Sequence, residues 1–330
     1  MVTIKQVAVH AGVSFKTVSR VVNKDPTVKK INREKIEQSI KELGYRPNRA
    51  ASLTRKKKSG IFGLIADELL STPYTFDIIR GAQDLAWNNN KELMVLNVDE
   101  KRYSGEKAVE HLFEHRVEGI IYASMFHRKL DIPHELLNIP AVLVNCSSSQ
   151  NNLPSVIPDE VYAAEVLTNK LLSKGYKRIA FLNLNENIIA AQGRKQGVIN
   201  AFKQSNLPME NLYIESVMIE TDDGEKSITR ESTRRIINTF GPDAIICGQD
   251  PMAAEVYFVL QKMGYKVKDD IGIASFDNWE PIPSLLHPTL STMALPHYEM
   301  GQWAMNYLLT GQTGIIEHKE KFKLIERESF

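Results

Sequence analysis

A short segment near the start of the chain, residues 14–22, carries cationic and hydroxyl side chains at helical spacing, opposite an apolar face formed by three valines. The guanidinium of Arg20 can fork onto guanine, Lys16 offers a longer point charge, and hydroxyl groups can bind phosphates. The candidate side chains in this segment are Ser14, Phe15, Lys16, Thr17, Ser19 and Arg20. This set predicts a helix that enters the major groove of DNA, although Phe15 has an alternative role as a packing residue at the helix start.

Charge is distributed unevenly along the sequence. Residues 1–60 hold fifteen Lys and Arg residues and four acidic residues, a net charge of +11, whereas the other 270 residues hold 26 basic and 36 acidic residues, a net charge of −10. This asymmetry indicates a basic module that binds a polyanion and a body that does not. A solvated basic tail is the simpler alternative, but the segment is not low in complexity.

Three short helices are predicted to position these side chains. Thr3 begins a capping box, and the first helix should end at Gly12. Ser14 can cap the second helix, and Asn32 can cap a third that ends at Gly44. The buried stripe of the third helix would be Ile36, Ile40 and Leu43.

Residues 3–48 resemble the DNA-binding segment of the lactose-repressor (LacI/GalR) family of transcriptional regulators. The resemblance is carried by the motif VAxxAGVSxxTVSRVVN, which is far more specific than a generic helix-turn-helix pattern. It implies that Phe15, Lys16 and Arg20 read bases. The residues for which it implies contacts with phosphates or neighbouring bases are Thr3, Ser14, Thr17, Ser19 and Asn23.

The stretch RPNRAASLTRKKKSG, residues 46–60, joins this head to the rest of the chain. In the family, this segment is a hinge that becomes a helix on operator DNA and inserts an apolar side chain into the minor groove. Asn48 would cap the hinge helix, and Ala51 is one of the small residues that let two such helices approach. The family's wedge position falls on Thr54, whereas Leu53 has more apolar surface, so Leu53 is favoured as the wedge on a rotated helix. A solvated linker is the alternative.

From residue 61 onward, short apolar runs alternate with amphipathic segments. Buried strands are predicted for IFGLIA, ELMVLNV, GIIYAS and AVLVN, with helices such as DIIRGAQDLAWNNN between them. The pattern repeats with strands at RIAFLNL, LYIESVMI, DAIICGQ and IGIASFD. Such alternation is typical of a parallel sheet covered by helices on both faces, so two similar α/β halves are predicted.

The family resemblance continues through GRKQGVINAF, CGQDPMAAEVYFVLQKMGY, DIGIASFDN and HPTLSTM. It implies an α/β fold that begins with a small three-helix helix-turn-helix head and a hinge. A two-lobe core with parallel sheets follows, built like periplasmic binding proteins. The chain would cross between the two lobes three times. The implied domains are a DNA-binding domain at 1–46, a hinge at 47–59, and an effector-binding and dimerisation core at 60–330. Within the core, one lobe would comprise about 60–159 and 291–320, and the other about 160–290 and 321–330.

Polar and aromatic side chains follow the predicted strands, at the edge where open α/β sheets bind ligands. Arg194 and Asp277 match family positions that grip polar groups of an effector, although they could instead pair only with each other. Gln249 stands where the family usually has asparagine. The remaining candidates suit a small polyhydroxyl ligand, although the aromatic ones could instead belong to ordinary core packing. They are Ser71, Thr72, Tyr74, Phe76 and Trp279.

The sequence lacks familiar enzyme motifs and targeting signals. It contains no P-loop, Rossmann, GxSxG or HExxH pattern. His111 and His115 have a metal-compatible spacing but no evident third ligand, and Cys146 and Cys247 close separate apolar runs as reduced core thiols would. With no apolar run of membrane-spanning length and no signal-peptide centre in residues 1–20, a cytoplasmic location is expected.

Together these features predict a sequence-specific DNA-binding transcriptional regulator, a repressor, which is not an enzyme and needs no cofactor. It would bind a near-palindromic double-stranded operator as a homodimer. A small molecule, a sugar or sugar derivative held between the lobes, would control it. The alternative is a cytoplasmic sugar-binding protein or sugar-related enzyme with a basic nucleic-acid-binding head.

Overall fold

The structure is a computed structural model that describes residues 2–23, 25–46, 58–67, 75–99, 102–150, 152–221 and 224–330. The chain forms two compact units, Met1–Ser59 and Gly60–Phe330. The predicted site residues that lie outside the described residues are Asn48, Ala51, Leu53, Thr54, Ser71, Thr72 and Tyr74.

Three helices build the first unit, which we call the head. They are α1 (Ile4–Ala11), α2 (Phe15–Val22) and α3 (Lys30–Leu43). The predicted caps of the first two helices are confirmed. Thr3 and Gln6 form a capping box, and Ser14 Oγ accepts a hydrogen bond from the backbone N–H of Thr17 at 3.2 Å. These local contacts fix where α1 and α2 begin.

The third helix begins earlier than predicted. Its first residue is Lys30, and the amide of Asn32 already donates to the carbonyl of Lys29 at 3.0 Å. Asn32 therefore lies inside the first turn, and the prediction that it caps the helix is wrong. The predicted end is confirmed, because Gly44 has the left-handed φ of 61° that favours glycine. The core of the head consists of Val7, Ala8, Val18, Val21 and Ile36.

The first lobe of the second unit is built on a six-stranded parallel sheet. Its strands are β1 (Ile61–Asp67), β2 (Glu92–Val98), β3 (Ile120–Leu130), β4 (Ala141–Ser148), β5 (Ser155–Pro158) and β13 (Glu317–Glu320), in the order β13-β5-β4-β3-β1-β2. Helices α4 (Thr75–Asn88) and α11 (His297–Thr310) cover one face, and α5 (Gly105–Glu114) covers the other. A short 3₁₀ helix spans His134–Asn138.

The second lobe has the same plan. Its strands are β6 (Ile179–Asn183), β7 (Leu212–Ser216), β10 (Ala244–Cys247), β11 (Gly272–Asp277), β12 (Ser291–Ala294) and β14 (Lys323–Ile325), in the order β14-β12-β11-β10-β6-β7, with only β14 antiparallel to its neighbour. Helices α6 (Glu160–Ser173) and α7 (Ile189–Gln204) cover one face, and α8 (Thr229–Thr239) and α9 (Asp250–Met263) cover the other. The shorter elements are a 3₁₀ helix at Met209–Asn211, a β-hairpin of β8 (Met218–Thr221) and β9 (Gly224–Ser227), and α10 (Ile282–Leu285).

Two predicted boundaries are wrong. The run at 212–219 is not a single strand, because the chain leaves the sheet after Ser216 and Met218–Thr221 pairs with β9 instead. Residues 291–294 do not belong to the first lobe, because Ser291 pairs with Ala274 and Met293 packs in the second core. The chain therefore returns to the first lobe after β12.

The chain crosses between the two lobes three times. The crossings follow Pro158, Ala294 and Glu320, where successive strands belong to different sheets. The amide of Asp159 donates to the carbonyl of Glu320 at 2.8 Å, so the first and third crossings are hydrogen-bonded to each other. Glu160, the first residue of α6, lies immediately after the first crossing.

Candidate functional site

The outer side of α2 carries the side chains that were predicted to read bases. Val18 and Val21 are buried beneath the helix, whereas Phe15, Lys16 and Arg20 are exposed on its other side. The turn before the helix is fixed by the left-handed backbone of Gly12, at φ 64°. The head therefore presents two cations and one aromatic ring together on an eight-residue helix.

The predicted phosphate-contacting groups already form local hydrogen bonds. Ser14 Oγ lies 2.8 Å from Thr17 Oγ1, and Asn23 Nδ2 donates to the carbonyl of Ser19 at 2.7 Å. Thr3 is held in the capping box of α1. A hydroxyl can donate and accept at once, and the Asn23 amide has a second N–H, so these side chains can shape the helix ends and still contact a phosphate.

Arg20 is held by a neighbouring acid in the head. Its Nε lies 3.4 Å from Asp25 Oδ2, and its side chain is 54% exposed. Hydrogen bonds from Thr27, and to a smaller extent the charge of Arg20, lower the pKa of Asp25. Exposed ion pairs contribute little to stability, so Arg20 can exchange this carboxylate for a base edge at small cost.

Replacing Arg20 with alanine should weaken binding to a specific DNA site by roughly 1–3 kcal/mol and relax the preference at one base pair, because a bidentate contact would be lost. Binding of the variant to a set of single-base-pair site variants, measured by fluorescence anisotropy, checks this. Lys203→Ala, which removes an equally exposed cation from α7, is the matched control and should leave the site preference unchanged. An unchanged preference in Arg20→Ala would show that this side chain does not read a base.

A buried guanidinium lies in the second lobe, beyond the carboxyl ends of β10 and β11. Arg194 on α7 is 3% exposed. Its Nε donates to Glu160 Oε2 at 2.7 Å, its Nη2 lies 3.5 Å from both Glu160 Oε1 and Asp277 Oδ1, and its Nη1 donates to the carbonyl of Gly248. The guanidinium carbon lies 4.5 Å from the centroid of the Phe276 ring. All three guanidinium nitrogens thus donate to acceptors of the protein.

Close packing of α6 against α7 brings Glu160 to Arg194. A Cβ atom on Gly193 would lie 2.7 Å from the Cβ of Glu160, and one on Gly197 would lie 2.3 Å from the carbonyl oxygen of Val161. Only glycine permits this approach, and α7 also contacts β3 of the first lobe. Burial raises the pKa of Glu160, and the charge of Arg194 opposes that rise.

The loop after β11 is held in an unusual backbone conformation. Asp277 and Asn278 have φ values of 104° and 53°, a region that non-glycine residues seldom adopt. Asp250 holds this loop, because its Oδ2 accepts the Trp279 N–H at 2.6 Å and its Oδ1 accepts the Thr292 hydroxyl at 2.9 Å. Strained backbone of this type concentrates at ligand sites, where the surrounding structure maintains it.

The structure brings together part of the predicted effector set. Asp277 lies beside Arg194, and the backbone of Trp279 is tied into the same loop. Gln249 is half-buried at the N-cap of α9, and its side chain makes no capping hydrogen bond. Phe76 lies on α4 of the first lobe and is 61% exposed. Arg194 and Asp277 do contact each other, but Glu160 is the nearer partner of Arg194.

The comparisons with known proteins agree with this architecture. Residues 59–322 match the family described as periplasmic binding proteins and sugar binding domain of LacI family, and residues 3–48 match bacterial regulatory proteins, lacI family. The chain belongs to the lacI family. The regulator is 30% identical to the sucrose operon repressor of Escherichia coli over 322 residues, 95% of each chain. It is 32% identical to catabolite control protein A of Priestia megaterium over 313 residues, 93% of this chain and 91% of that protein.

The fold of the whole chain is also that of a solved repressor. The crystal structure of the lac repressor bound to ONPG in the repressed state is 25% identical, with a TM-score of 0.75, and the match covers 100% of this chain and 99% of that one. The chain is therefore a DNA-binding transcriptional regulator whose core is of the sugar-binding type.

One acidic residue of the regulator's core, Glu160, was not recognised as a site residue from the sequence. Glu160 looks like an ordinary first-turn acid of a helix, a position where carboxylates are usually solvated. Asp250, the residue after Gln249, is fully buried and holds the loop of Asp277. The position of Glu160 just after a buried strand was the available signal.

Stability of the regulator should fall as the pH rises from about 4 to about 7, partly through Asp250. Burial, and then the charge of Asp277, raise the pKa of Asp250 from 3.8 to about 7. In that pH range the folded chain keeps a proton that the unfolded chain has lost, so raising the pH favours unfolding. Asp250→Asn should flatten this part of the pH profile, which urea unfolding at several pH values measures. A variant profile as steep as that of the parent would contradict this assignment.

The other candidate sites of the sequence have ordinary surroundings in the described residues. Cys146 and Cys247 are buried free thiols, and burial raises the pKa of Cys146 to about 12. The ring centroids of His111 and His115 lie 4.9 Å apart with the ring planes tilted by 55°, and no group of three metal-ligating side chains occurs within the part of the chain that the structure describes. The same part contains no helix of the length and hydrophobicity that a bilayer crossing requires.

Proposed function

We propose that the regulator represses transcription by binding a near-palindromic operator as a homodimer, and that a small carbohydrate held between the lobes sets its operator affinity. The observation that carries the proposal is the buried Arg194 network, which lies next to the first crossing between the lobes in a chain with a cationic helix in its head. We assign DNA binding to residues 1–46, coupling to 47–59, and effector binding and dimerisation to 60–330.

The proposal of a homodimer rests on DNA geometry and on the surface of the second lobe. One head reads a short half-site, and two heads about one helical turn apart read a near-palindrome. Phe258 and Leu285 are 60% and 76% exposed beside a groove of about 700 Å³. A twofold contact between two copies would cover these apolar side chains.

Control by an effector follows from the position of the site. A ligand between the lobes favours one lobe arrangement and so changes how the two hinges meet the DNA. We propose that the carbohydrate acts as an inducer and lowers operator affinity. The coupling must be reciprocal, so operator DNA should weaken effector binding by the same factor, typically about 5- to 150-fold.

The hinge is assigned a DNA-dependent role. We propose that Leu53 enters the minor groove, because Thr54 has little apolar surface to insert between base steps. The basic residues that follow it, 55–58, would then bind phosphates beside the kink.

The name of the sucrose operon repressor supports action by binding and not by catalysis. The sucrose operon repressor by its name also supports a carbohydrate as the effector class. A DNA partner places the proposed activity in the cytoplasm. The alternative, a sugar-binding protein or sugar-related enzyme with a basic head, would show no sequence-selective DNA binding.

The effector assignment is tested with Asp277→Asn. Asparagine matches the shape of aspartate and tolerates its positive φ, so the variant should fold. Neutral sugars are screened by thermal shift, and any sugar that stabilises the parent is then added to an operator-binding assay. We expect Asp277→Asn to lose the response to that sugar by at least about tenfold in effective concentration, because a charged hydrogen bond is worth about 1.5–3 kcal/mol.

The control for this experiment is Glu210→Gln, which removes an exposed acid on the 3₁₀ helix Met209–Asn211. It should respond to the sugar as the parent does. A folded Asp277→Asn variant with a full response would contradict the proposed site, and a collapse of its thermal stability would assign Asp277 a structural role instead.

A further inference from the structure

The cation in the proposed effector site is already neutralised by the protein. Arg194 donates from all three of its nitrogens, and the nearest carboxylate is that of Glu160, whose Oε2 lies 2.7 Å from Nε. Glu160 is 5% exposed and Arg194 is 3% exposed, so water screens this pair poorly. The guanidinium is therefore not available to a ligand anion unless Glu160 is displaced.

The charge balance around Arg194 is negative. Two carboxylates, those of Glu160 and Asp277, contact this one guanidinium, and the buried carboxyl of Asp250 lies near Asp277. With Asp250 protonated the balance is still −1. A further cation, Arg327, bonds to Asn278 in the loop after β11 and is itself paired with Glu280 at 2.9 Å.

An anionic ligand would meet two separate costs at this site. It would have to leave Glu160 buried without its counter-ion, and it would add a negative charge beside Asp277. A ligand hydroxyl meets neither cost, because a carboxylate has about four lone-pair sites and can accept from a hydroxyl while it stays paired with arginine.

We propose that Glu160 is a specificity-determining residue that makes this site select uncharged polyhydroxyl effectors over anionic ones such as sugar phosphates and sugar acids. The proposal deepens the proposed function and rests on the effector site between the lobes. Gly193 is needed for this role of Glu160, since a side chain at position 193 would push Glu160 away from α7.

The test is to look for anion binding that appears when the charge of Glu160 is removed. Glu160→Gln keeps the shape of the side chain and leaves the charge of Arg194 without its nearest counter-ion. Binding of glucuronate and inorganic phosphate is measured by isothermal titration calorimetry at constant ionic strength, with chloride as the reference salt. We expect Glu160→Gln to bind these anions roughly tenfold to a hundredfold more tightly than the parent, since bonds to charged groups carry that difference.

The double variant Glu160→Gln/Arg194→Gln is the matched control and should lose the acquired binding. Equal anion binding by the parent and by Glu160→Gln, or none in a folded Glu160→Gln variant, would overturn the proposal. Circular dichroism establishes whether the variant is folded.

If Glu160→Gln fails to fold, the preference for neutral over acidic sugars is measured on the parent chain. Matched pairs such as glucose with glucose 6-phosphate and galactose with galacturonate are compared by thermal shift. Stronger stabilisation by an acidic member than by its neutral counterpart would overturn the proposal, and no stabilisation by any acidic member supports it. Neither measurement uses DNA. The selection against anions can therefore be disproved while operator binding is confirmed, and it can be confirmed while operator binding is disproved.

Discussion

Replacing Arg194 with alanine should lower the free energy of unfolding by about 3–5 kcal/mol, because the change leaves the buried carboxylate of Glu160 without its counter-ion. The variant also loses the hydrogen bond to the carbonyl of Gly248 and the contact with the Phe276 ring. We therefore expect an unstable protein in addition to a defect in effector binding. Urea unfolding followed by circular dichroism measures the loss.

Two further variants separate loss of the ion pair from loss of a surface charge. Lys195→Ala, at the next position of α7, removes an exposed cation paired with Glu186 at 3.4 Å and should change stability by well under about 1 kcal/mol. Arg194→Met combined with Glu160→Gln removes both charges and should recover much of the stability. An Arg194→Ala variant as stable as Lys195→Ala would contradict the burial of this pair.

Replacing Phe276 with alanine should cost about 3–5 kcal/mol of unfolding free energy, as deletion of a large buried ring does. The ring is fully buried in the second lobe and lies under the Arg194 guanidinium. The change therefore creates a cavity and also uncovers the charged network above it. We expect the sugar response to weaken together with the stability, since the same side chain supports both.

Phe126→Ala is the matched control for this prediction. Phe126 is 49% exposed on β3, so its loss should cost much less than the loss of Phe276. Both variants are compared by urea unfolding at the same pH. Equal losses would show that Phe276 does not anchor the second core.

The head could be predicted closely because local rules decide its helices. The capping box at Thr3, the cap at Ser14 and the glycine stops at Gly12 and Gly44 all depend on residues within a few positions of each other. The start of α3 was missed because lysine is not a usual N-cap residue, so the local sequence favours Asn32 over Lys29 as the cap.

The central strands could be predicted from their continuous apolar runs, but the edge strands could not. The strand Glu317–Glu320 reads EHKE, and Lys323–Ile325 reads KLI, so neither shows the apolar pattern of a buried strand. Their places in the two sheets depend on pairing with Ser155–Pro158 and with Ser291–Ala294, far away in sequence. The lobe boundary near 294 depends on the same distant pairing.

The role of Glu160 in the site could not be predicted because the burial of this side chain is a tertiary effect. Arg194 and Asp277 were found through family positions, whereas Glu160 becomes a partner only when Gly193 and Gly197 let α6 and α7 approach closely. Charge patterns in a sequence indicate solvated helix ends unless such packing is known.

Selection of duplexes from a random DNA pool tests whether the chain recognises a specific operator through α2. The predicted result is enrichment of a near-palindrome with half-sites about one helical turn apart. The affinity of the regulator for this DNA should fall steeply with salt, by about 0.9 in log K per phosphate contact for each log unit of salt. Arg20→Ala should lose the preference at one position of each half-site. Equal binding to all duplexes would show that the chain recognises no specific operator, and enrichment that is unchanged by Arg20→Ala would show that α2 does not read the bases through Arg20.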